Sequence, residues 1–304
     1  MKISLVIPVF NGEKTLSELY ARIKLTLEGL FDYEVLFIHD GGSAEAWVEI
    51  TRLKSRFGSA IKAIRLSHNF GQHNAIKCGI EHSEGDFIVT IDEDLQHAPE
   101  DILKLIEYKN QNDFELVYGV YKKRNHSTIR NISSICLNRL LRFVIPKLHK
   151  DYSSFRLADS KTVKKTLNLI TSYSFLDGDL AMVTNKVSSI PVSHFKSVSG
   201  KSSYTFSKLL WHSISILAAY SKQLIKTLKL LSFILIAVAL TAFSGIIFKL
   251  DYTKGRVNEA IENLAIIALL SGLLLFGLWI IAAGIEKYNL KRHNNSNYEI
   301  MELL

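Results

Sequence analysis

Asp86-Phe-Ile-Val-Thr-Ile-Asp-Glu-Asp94 decides how this chain reads. Its first part is a short apolar run rich in β-branched residues, the composition of a buried strand. The run ends abruptly in Asp92-Glu93-Asp94, where core gives way to carboxylates. If strand geometry continues, Asp92 and Asp94 point the same way and offer the oxygens that a hard cation needs. A diphosphate ligand brings oxygens of its own, so one or two protein carboxylates complete such a site. An isolated Asp-x-Asp triplet is a weak signal, because acidic turns are common. Its place at a strand end gives it weight.

Upstream, the same pattern repeats. Ile3-Ser-Leu-Val-Ile-Pro-Val-Phe10 reads as a strand stopped by Asn11-Gly12. Glu34-Val-Leu-Phe-Ile38 reads as a second, closing on His39-Asp40-Gly41-Gly42-Ser43, and residues 61–66 as a third. Leu16, Leu19, Ile23 and Leu27 have helical spacing over 15–30, and further helices run through Trp47 and Leu53 and over 74–82. Pro99 opens another helix through Leu105, and 116–119 is one more strand. Alternation of strand and helix predicts an α/β domain whose parallel sheet carries helices on both faces. Ligands of open sheets lie beyond the carboxyl ends of the strands, where Asn11, Asp40, Asp92 and Asp94 all fall. Asp40 suits either a nucleobase edge or an ordinary turn, and Asn69 and Gly71 suit either binding or a plain turn. No Walker phosphate loop, G-x-G-x-x-G or G-x-S-x-G occurs, so kinase, dehydrogenase and hydrolase readings lose their usual support.

The C-terminal third is different. Residues 230–248 and 264–285 carry no charged side chain. Each run is long enough to cross a hydrocarbon core of ~30 Å as a helix. Lys222, Lys226 and Lys229 precede the first, and Lys287, Lys291 and Arg292 follow the second. The positive-inside tendency then puts both termini in the cytoplasm, although Lys249, Lys254 and Arg256 in the connection weaken the asymmetry. No signal peptide is visible, so the N-terminal domain is expected to stay cytoplasmic. Leu209, Leu210, Ile214, Leu217 and Ala218 predict an amphipathic helix lying on the membrane. Cys78 and Cys136 form no ligand or redox spacing. The net charge of +8 comes without a basic patch interleaved with aromatics, so nucleic acid is not an expected partner; lipid headgroups and phosphorylated substrates are.

Val6 to Leu16 (VIPVFNGEKTL), FIHDGGS from Phe37, LSHNFGQHNAIKCGI from Leu66 and GDFIVTIDEDLQHAPED from Gly85 together resemble family 2 glycosyltransferases. The likeness is greatest to the polyprenyl-phosphate branch, the relatives of dolichyl-phosphate mannose synthase, and continues through SSFRLAD, FLDGD and GKSSYTFSKLL. The resemblance implies a GT-A nucleotide-diphospho-sugar transferase fold, Rossmann-like with a mainly parallel sheet, plus a C-terminal two-helix transmembrane hairpin. It divides the chain into a cytoplasmic catalytic domain (1–205), a juxtamembrane helix (206–228), two transmembrane helices (229–286) and a cytoplasmic tail (287–304). It implies inverting transfer of a sugar from a nucleotide-sugar to undecaprenyl or dolichyl phosphate, for envelope glycan modification at a bacterial inner membrane. On that analogy Pro8, Asn11, Asp40, Asn69 and Gly71 line the donor site, and Asp92 and Asp94 hold Mg²⁺ or Mn²⁺. Gln96 sits beside the donor phosphates or the acceptor, Arg156 matches the family's FRL arginine, and Arg124, Arg130, Ser134 and Lys201 would bind the lipid phosphate. Two-span anchors can also pack into a homo-oligomer.

The departures are His39 for the first aspartate of V-D-D-G-S, the extra glycine at Gly42, Tyr121 and Ser197 for arginines, and Ser154 for the aspartate of D-F-R-L. A second enzymatic reading keeps the fold but glycosylates a hydroxyl of a lipid-linked oligosaccharide, with Asp177 or Asp179 as general base. A third makes the chain an inactive membrane scaffold with a vestigial transferase domain.

Overall fold

The computed structural model describes residues 1–121, 139, 141–169, 174–195, 215–216, 220, 222–253, 259–292 and 298–304. The chain forms two units, one of Met1–Ile216 with Asn295–Leu304 and one of Leu217–Asn294.

The first unit follows the order β1 (Lys2–Val9), α1 (Leu16–Leu27), β2 (Asp32–His39), α2 (Ala44–Phe57), β3 (Ile61–Leu66), α3 (Gln72–Glu81) and β4 (Phe87–Thr90). Then come α4 (Asp101–Gln111), β5 (Leu116–Tyr121), β6 (Arg156–Asp159), α5 (Ser160–Lys164), α6 (Leu176–Val183) and β7 (Val187–Val192). One sheet takes the order β7-β5-β6-β4-β1-β2-β3-β8, where β8 is Ile300–Leu303. The strands β4, β1, β2 and β3 are parallel, as the alternation predicts, and β5 is parallel to β7. Two strands run the other way: β6 lies antiparallel between β4 and β5, and β8 is antiparallel to β3.

Side chains alternate across the pleat, so each strand feeds two cores. Ile3, Leu5, Ile7 and Val9 of β1 pack with Leu16, Leu19, Trp47, Ile102 and Leu105 of α1, α2 and α4. Val6, with Leu36 and Ile38, packs on the other face with Ala75, Ile76, Leu176 and Leu180 of α3 and α6. Each buried leucine or isoleucine contributes roughly 1.5–3 kcal/mol. Helices therefore cover both faces, and only the strand ends remain for chemistry.

The second unit is a pair of helices, α7 (Lys222–Thr253) and α8 (Glu259–Arg292). Ile225–Ile247 and Glu262–Gly284, 23 residues each, are long and apolar enough to cross a membrane. Leu230, Leu240, Leu264, Leu270 and Leu274 point outward, exposed. The helices meet where Gly272 lets the Ile236 backbone approach, since a Cβ there would lie 3.1 Å from Ile236 N. Phe233 and Phe276 pack edge to face beside it.

Two segment boundaries differ from the sequence reading. Residues 287–304 are no free tail: α8 runs on to Arg292, and Ile300–Leu303 adds a strand to the sheet. The juxtamembrane helix placed at 206–228 falls mostly outside the described residues, and from Lys222 its sequence belongs to α7. Local periodicity cannot separate an interfacial helix from the start of a spanning one.

Candidate active site

Register brings the strand ends together. Val9 is paired with His39 and Val6 with Thr90, so the loops after β1, β2 and β4 leave one edge of the sheet side by side. Asn11, Asp40 and the Asp92–Asp94 triplet therefore share that edge. The backbone ties them closely: Asp40 N donates to Val9 O at 2.8 Å, and Ser43 N donates to both Phe10 O and Asn11 Oδ1. Gly42 is required by this contact, because a Cβ there would lie 1.5 Å from the Phe10 carbonyl oxygen. The second glycine of the HDGGS run thus has a packing cause.

His39 has one as well. Its Nε2 lies 2.9 Å from the Ser43 carbonyl, which accepts only, so Nε2 carries the proton. Burial lowers the ring's pKa and keeps it neutral. An ionised aspartate could not make this bond.

The triplet divides its carboxylates. β4 ends at Thr90, and Leu95 takes a left-handed φ of 61°, alone among the described non-glycine residues. Strand geometry therefore does not persist through Asp92 and Asp94, contrary to the simplest sequence reading. Glu93 turns back to accept the N–H groups of Phe10 and Asn11 at 3.1 and 3.2 Å. Asp92 accepts from Gln72 Nε2 at 2.7 Å and from Ser154 Oγ at 2.5 Å, one at each oxygen. Asp94 accepts from the backbone and side chain of Gln96 at 3.1 and 2.7 Å.

Burial raises the pKa of all three acids, Glu93 to about 7, and for Asp92 the Ser154 and Gln72 bonds and the Arg156 charge oppose it. A cation here would relieve that cost. The donors fit Mg²⁺ or Mn²⁺, being hard oxygens with lone pairs left after one hydrogen bond each. Among the described residues no group of three potential ligands surrounds a metal position, so Asp92 and Asp94 would need phosphate or water oxygens to complete the shell.

The remaining sequence candidates fall into three groups. Asp40 is buried, and its oxygens accept the N–H groups of Phe70 at 2.7 Å and Gly71 at 2.9 Å. Burial pushes its pKa to about 6 against those bonds. Asn69 Oδ1 also accepts from Gly71 N, so Asp40, Asn69 and Gly71 form one tethered loop at the edge. Pro8 is buried within β1, paired with Ile38, just short of the edge. Arg156 lies in β6 beside Thr90, only 2% exposed, and donates to Asp177 Oδ1 at 2.6 Å. Tyr118 OH donates to the same oxygen at 2.9 Å. Arg124, Arg130, Ser134 and Lys201, like Ser197, lie outside the described residues.

Asp177 and Asp179, the general-base candidates, are both committed to buried cations, Asp177 to Arg156 and Asp179 to Lys77 at 2.7 Å. Tyr121, one of the departures from the family pattern, stacks on His97 with ring centroids 5.1 Å apart. Reading from sequence missed Glu93 and Gln72. Glu93 was hidden as the middle letter of its triplet, and Gln72 carried no signal beyond following Gly71.

The family model described as glycosyl transferase family 2 matches residues 4–169. The undecaprenyl-phosphate 4-deoxy-4-formamido-L-arabinose transferase of Enterobacter sp. (strain 638) is 35% identical over 211 residues, 69% of this chain and 64% of the relative. That of Klebsiella pneumoniae (strain 342) is 34% identical over the same shares. These matches thus take in under two thirds of the relatives' length. Among solved structures, glucosyl-3-phosphoglycerate synthase from Mycobacterium tuberculosis, in complex with Mn²⁺, UDP and glucosyl-3-phosphoglycerate, superposes with a TM-score of 0.54. It is 16% identical and covers 72% of this chain and 78% of its own, a likeness of fold.

Proposed function

From the premise that this chain belongs to glycosyl transferase family 2, we propose that it moves a sugar from a nucleotide-sugar to a polyprenyl phosphate at a membrane. The observation that carries this reading is the meeting of Asp92 and Asp94 with the Asn11 and Asp40 loops at one sheet edge, in a chain that also holds two membrane-length apolar helices. Relatives named for undecaprenyl phosphate support the acceptor class. A fold neighbour holding UDP and Mn²⁺ supports testing those first as donor nucleotide and metal.

In the proposed reaction a lipid phosphate oxygen attacks the anomeric carbon from the face opposite the nucleotide. The new phosphate–sugar bond forms as the bond from sugar to diphosphate breaks, and the nucleoside diphosphate leaves with the electron pair. Configuration inverts. The attacking phosphate is already anionic near neutral pH, so no protein base has to remove a proton; the task is positioning. Asp92 and Asp94 are the residues to hold Mg²⁺ or Mn²⁺, which when bound neutralises charge developing on the departing diphosphate. Gln96 orients Asp94, while Gln72 and Ser154 orient Asp92. The loop of Asn69 and Gly71, tied to Asp40, closes the donor side with Asn11 and Pro8. Arg156 contributes through its charge, which favours the ionised form of Asp92, while its hydrogen bond goes to Asp177. Arg124, Arg130, Ser134 and Lys201 remain the proposed grip on the acceptor phosphate, by charge-assisted hydrogen bonds.

Acceptance by a hydroxyl would need a free general base, and the pairing of Asp177 and Asp179 weighs against it. We further propose that the hairpin anchors the enzyme in a bacterial inner membrane with the sheet domain in the cytoplasm. The test mixes the purified full chain with undecaprenyl phosphate, Mn²⁺ and radiolabelled nucleotide-sugars. Label in the lipid extract is expected; label found only on a hydroxyl acceptor would sink the proposal.

A further inference from the structure

The described C-terminal residues do more than finish the sheet. β8 covers the outer edge of β3, pairing Ile64 with Leu303, Arg65 with Glu302 and Leu66 with Ile300 across an irregularity at Arg65/Leu66. Ala63 and Leu304 exchange both backbone hydrogen bonds, at 2.9 and 3.1 Å. Just past the end of β3, Ser67 N donates to the Glu299 carbonyl at 2.9 Å, and Ser67 Oγ donates to the Glu299 carboxylate at 3.1 Å. Tyr298 OH donates to the Glu81 carboxylate, at the far end of α3. Tyr298 and Ile300 pack against the same core face as Phe70. The segment therefore grips β3, the start of its loop, and α3.

That loop is the one that reaches the site. Phe70 N and Gly71 N donate to Asp40, and Gln72, the first residue of α3, donates to Asp92. The path from Ser67 to Gln72 thus has one anchor at Glu299 and the others on the two candidate site carboxylates. Freeing the Glu299 end gives the loop conformations in which Asp40 and Asp92 lose their donors, and binding must then bear the ordering cost. We propose that Tyr298–Leu304 is a positioning element for the donor site, holding the 67–72 loop so that Asp40 and Asp92 are pre-organised for a nucleotide diphosphate. The inference rests on the donor-site reading proposed above. It gives the residues after the second apolar helix a part in substrate affinity, distinct from anchoring.

The test is titration of UDP and GDP, each with Mn²⁺, into the full chain and into a variant lacking Tyr298–Leu304, alongside steady-state kinetics. The deletion is expected to weaken nucleotide binding about tenfold and raise the donor KM by the same factor, while kcat changes less than about threefold. A synthetic Tyr298–Leu304 peptide is expected to restore affinity. If the deletion does not fold, the Tyr298→Phe/Glu299→Ala double variant decides, with an expected loss of about threefold in affinity. Unchanged nucleotide affinity in the folded variant, or a fall in kcat alone, overturns the inference and leaves the proposed function standing. Failure of the full chain to bind either nucleotide overturns the donor-site reading and this inference together.

Discussion

Ser154 Oγ donates to Asp92 Oδ2 at 2.5 Å, so the serine that stands in place of a family aspartate supports the acidic triplet instead of adding to it. Gln72 holds the other oxygen of Asp92. The carboxylate is thereby fixed from both sides.

Ser154→Ala and Gln72→Ala should each lower turnover roughly 10-fold, the usual cost of losing a partner that orients a metal-binding carboxylate. Folding should be nearly unaffected. Steady-state rates across a Mn²⁺ titration, paired with thermal melting in detergent, check both halves.

Arg156, Asp177 and Tyr118 form a buried network whose loss should appear in stability. Asp177→Ala removes the carboxylate that Arg156 bonds, and Lys77→Met removes the ammonium that Asp179 bonds. Each should cost about 3–5 kcal/mol, against about 1 kcal/mol for Tyr118→Phe, which keeps both ions. Denaturant unfolding of the three variants gives the ranking.

The strand-helix alternation was legible because β1 and β2 carry the apolar runs Leu5–Val9 and Val35–Ile38 and β3 the apolar residues Ile61, Ala63, Ile64 and Leu66, closed by Asn-Gly, Asp-Gly and Ser-His turns. β6 was not, since Arg-Leu-Ala-Asp has neither length nor alternation and opens on an arginine and closes on an aspartate. β8 could not be foreseen, because its pairing joins Ile64 to Leu303 across the whole apolar hairpin. In the site, the spacing of Asp92 and Asp94 was visible. The turning away of Glu93 was not, as it depends on where β4 stops and on the left-handed Leu95. Pairings such as Arg156 with Asp177 are tertiary and leave no local pattern.

pH should act through Glu93. Burial raises its pKa from 4.5 to about 7 in the fold, so the folded state favours the protonated acid. Its stabilising contribution is then complete below about 4.5 and lost as pH rises through about 7. Without metal, the melting temperature should fall across that window, and Glu93→Gln should flatten the slope. Mn²⁺ competes with protons, so its stabilisation should be larger at pH 8 than at pH 6.

Gly42→Ala should be severe for a steric reason. Its Cβ would sit 1.5 Å from the Phe10 oxygen, whereas one at Gly58 meets nothing within 4 Å and faces only the strain of φ +58°. Gly58→Ala should cost about 1 kcal/mol and Gly42→Ala more than the ~1–3 kcal/mol of ordinary overpacking. Melting curves of the two variants distinguish the causes.

The most direct measurement compares wild type and Asp94→Asn for Mn²⁺-dependent transfer of labelled sugar from nucleotide to undecaprenyl phosphate. Wild type should label the lipid only when a divalent cation is present, and Asp94→Asn should fold normally yet label none. Full transfer by Asp94→Asn, with the same dependence on Mn²⁺, would contradict the assignment of the reaction to this carboxylate edge.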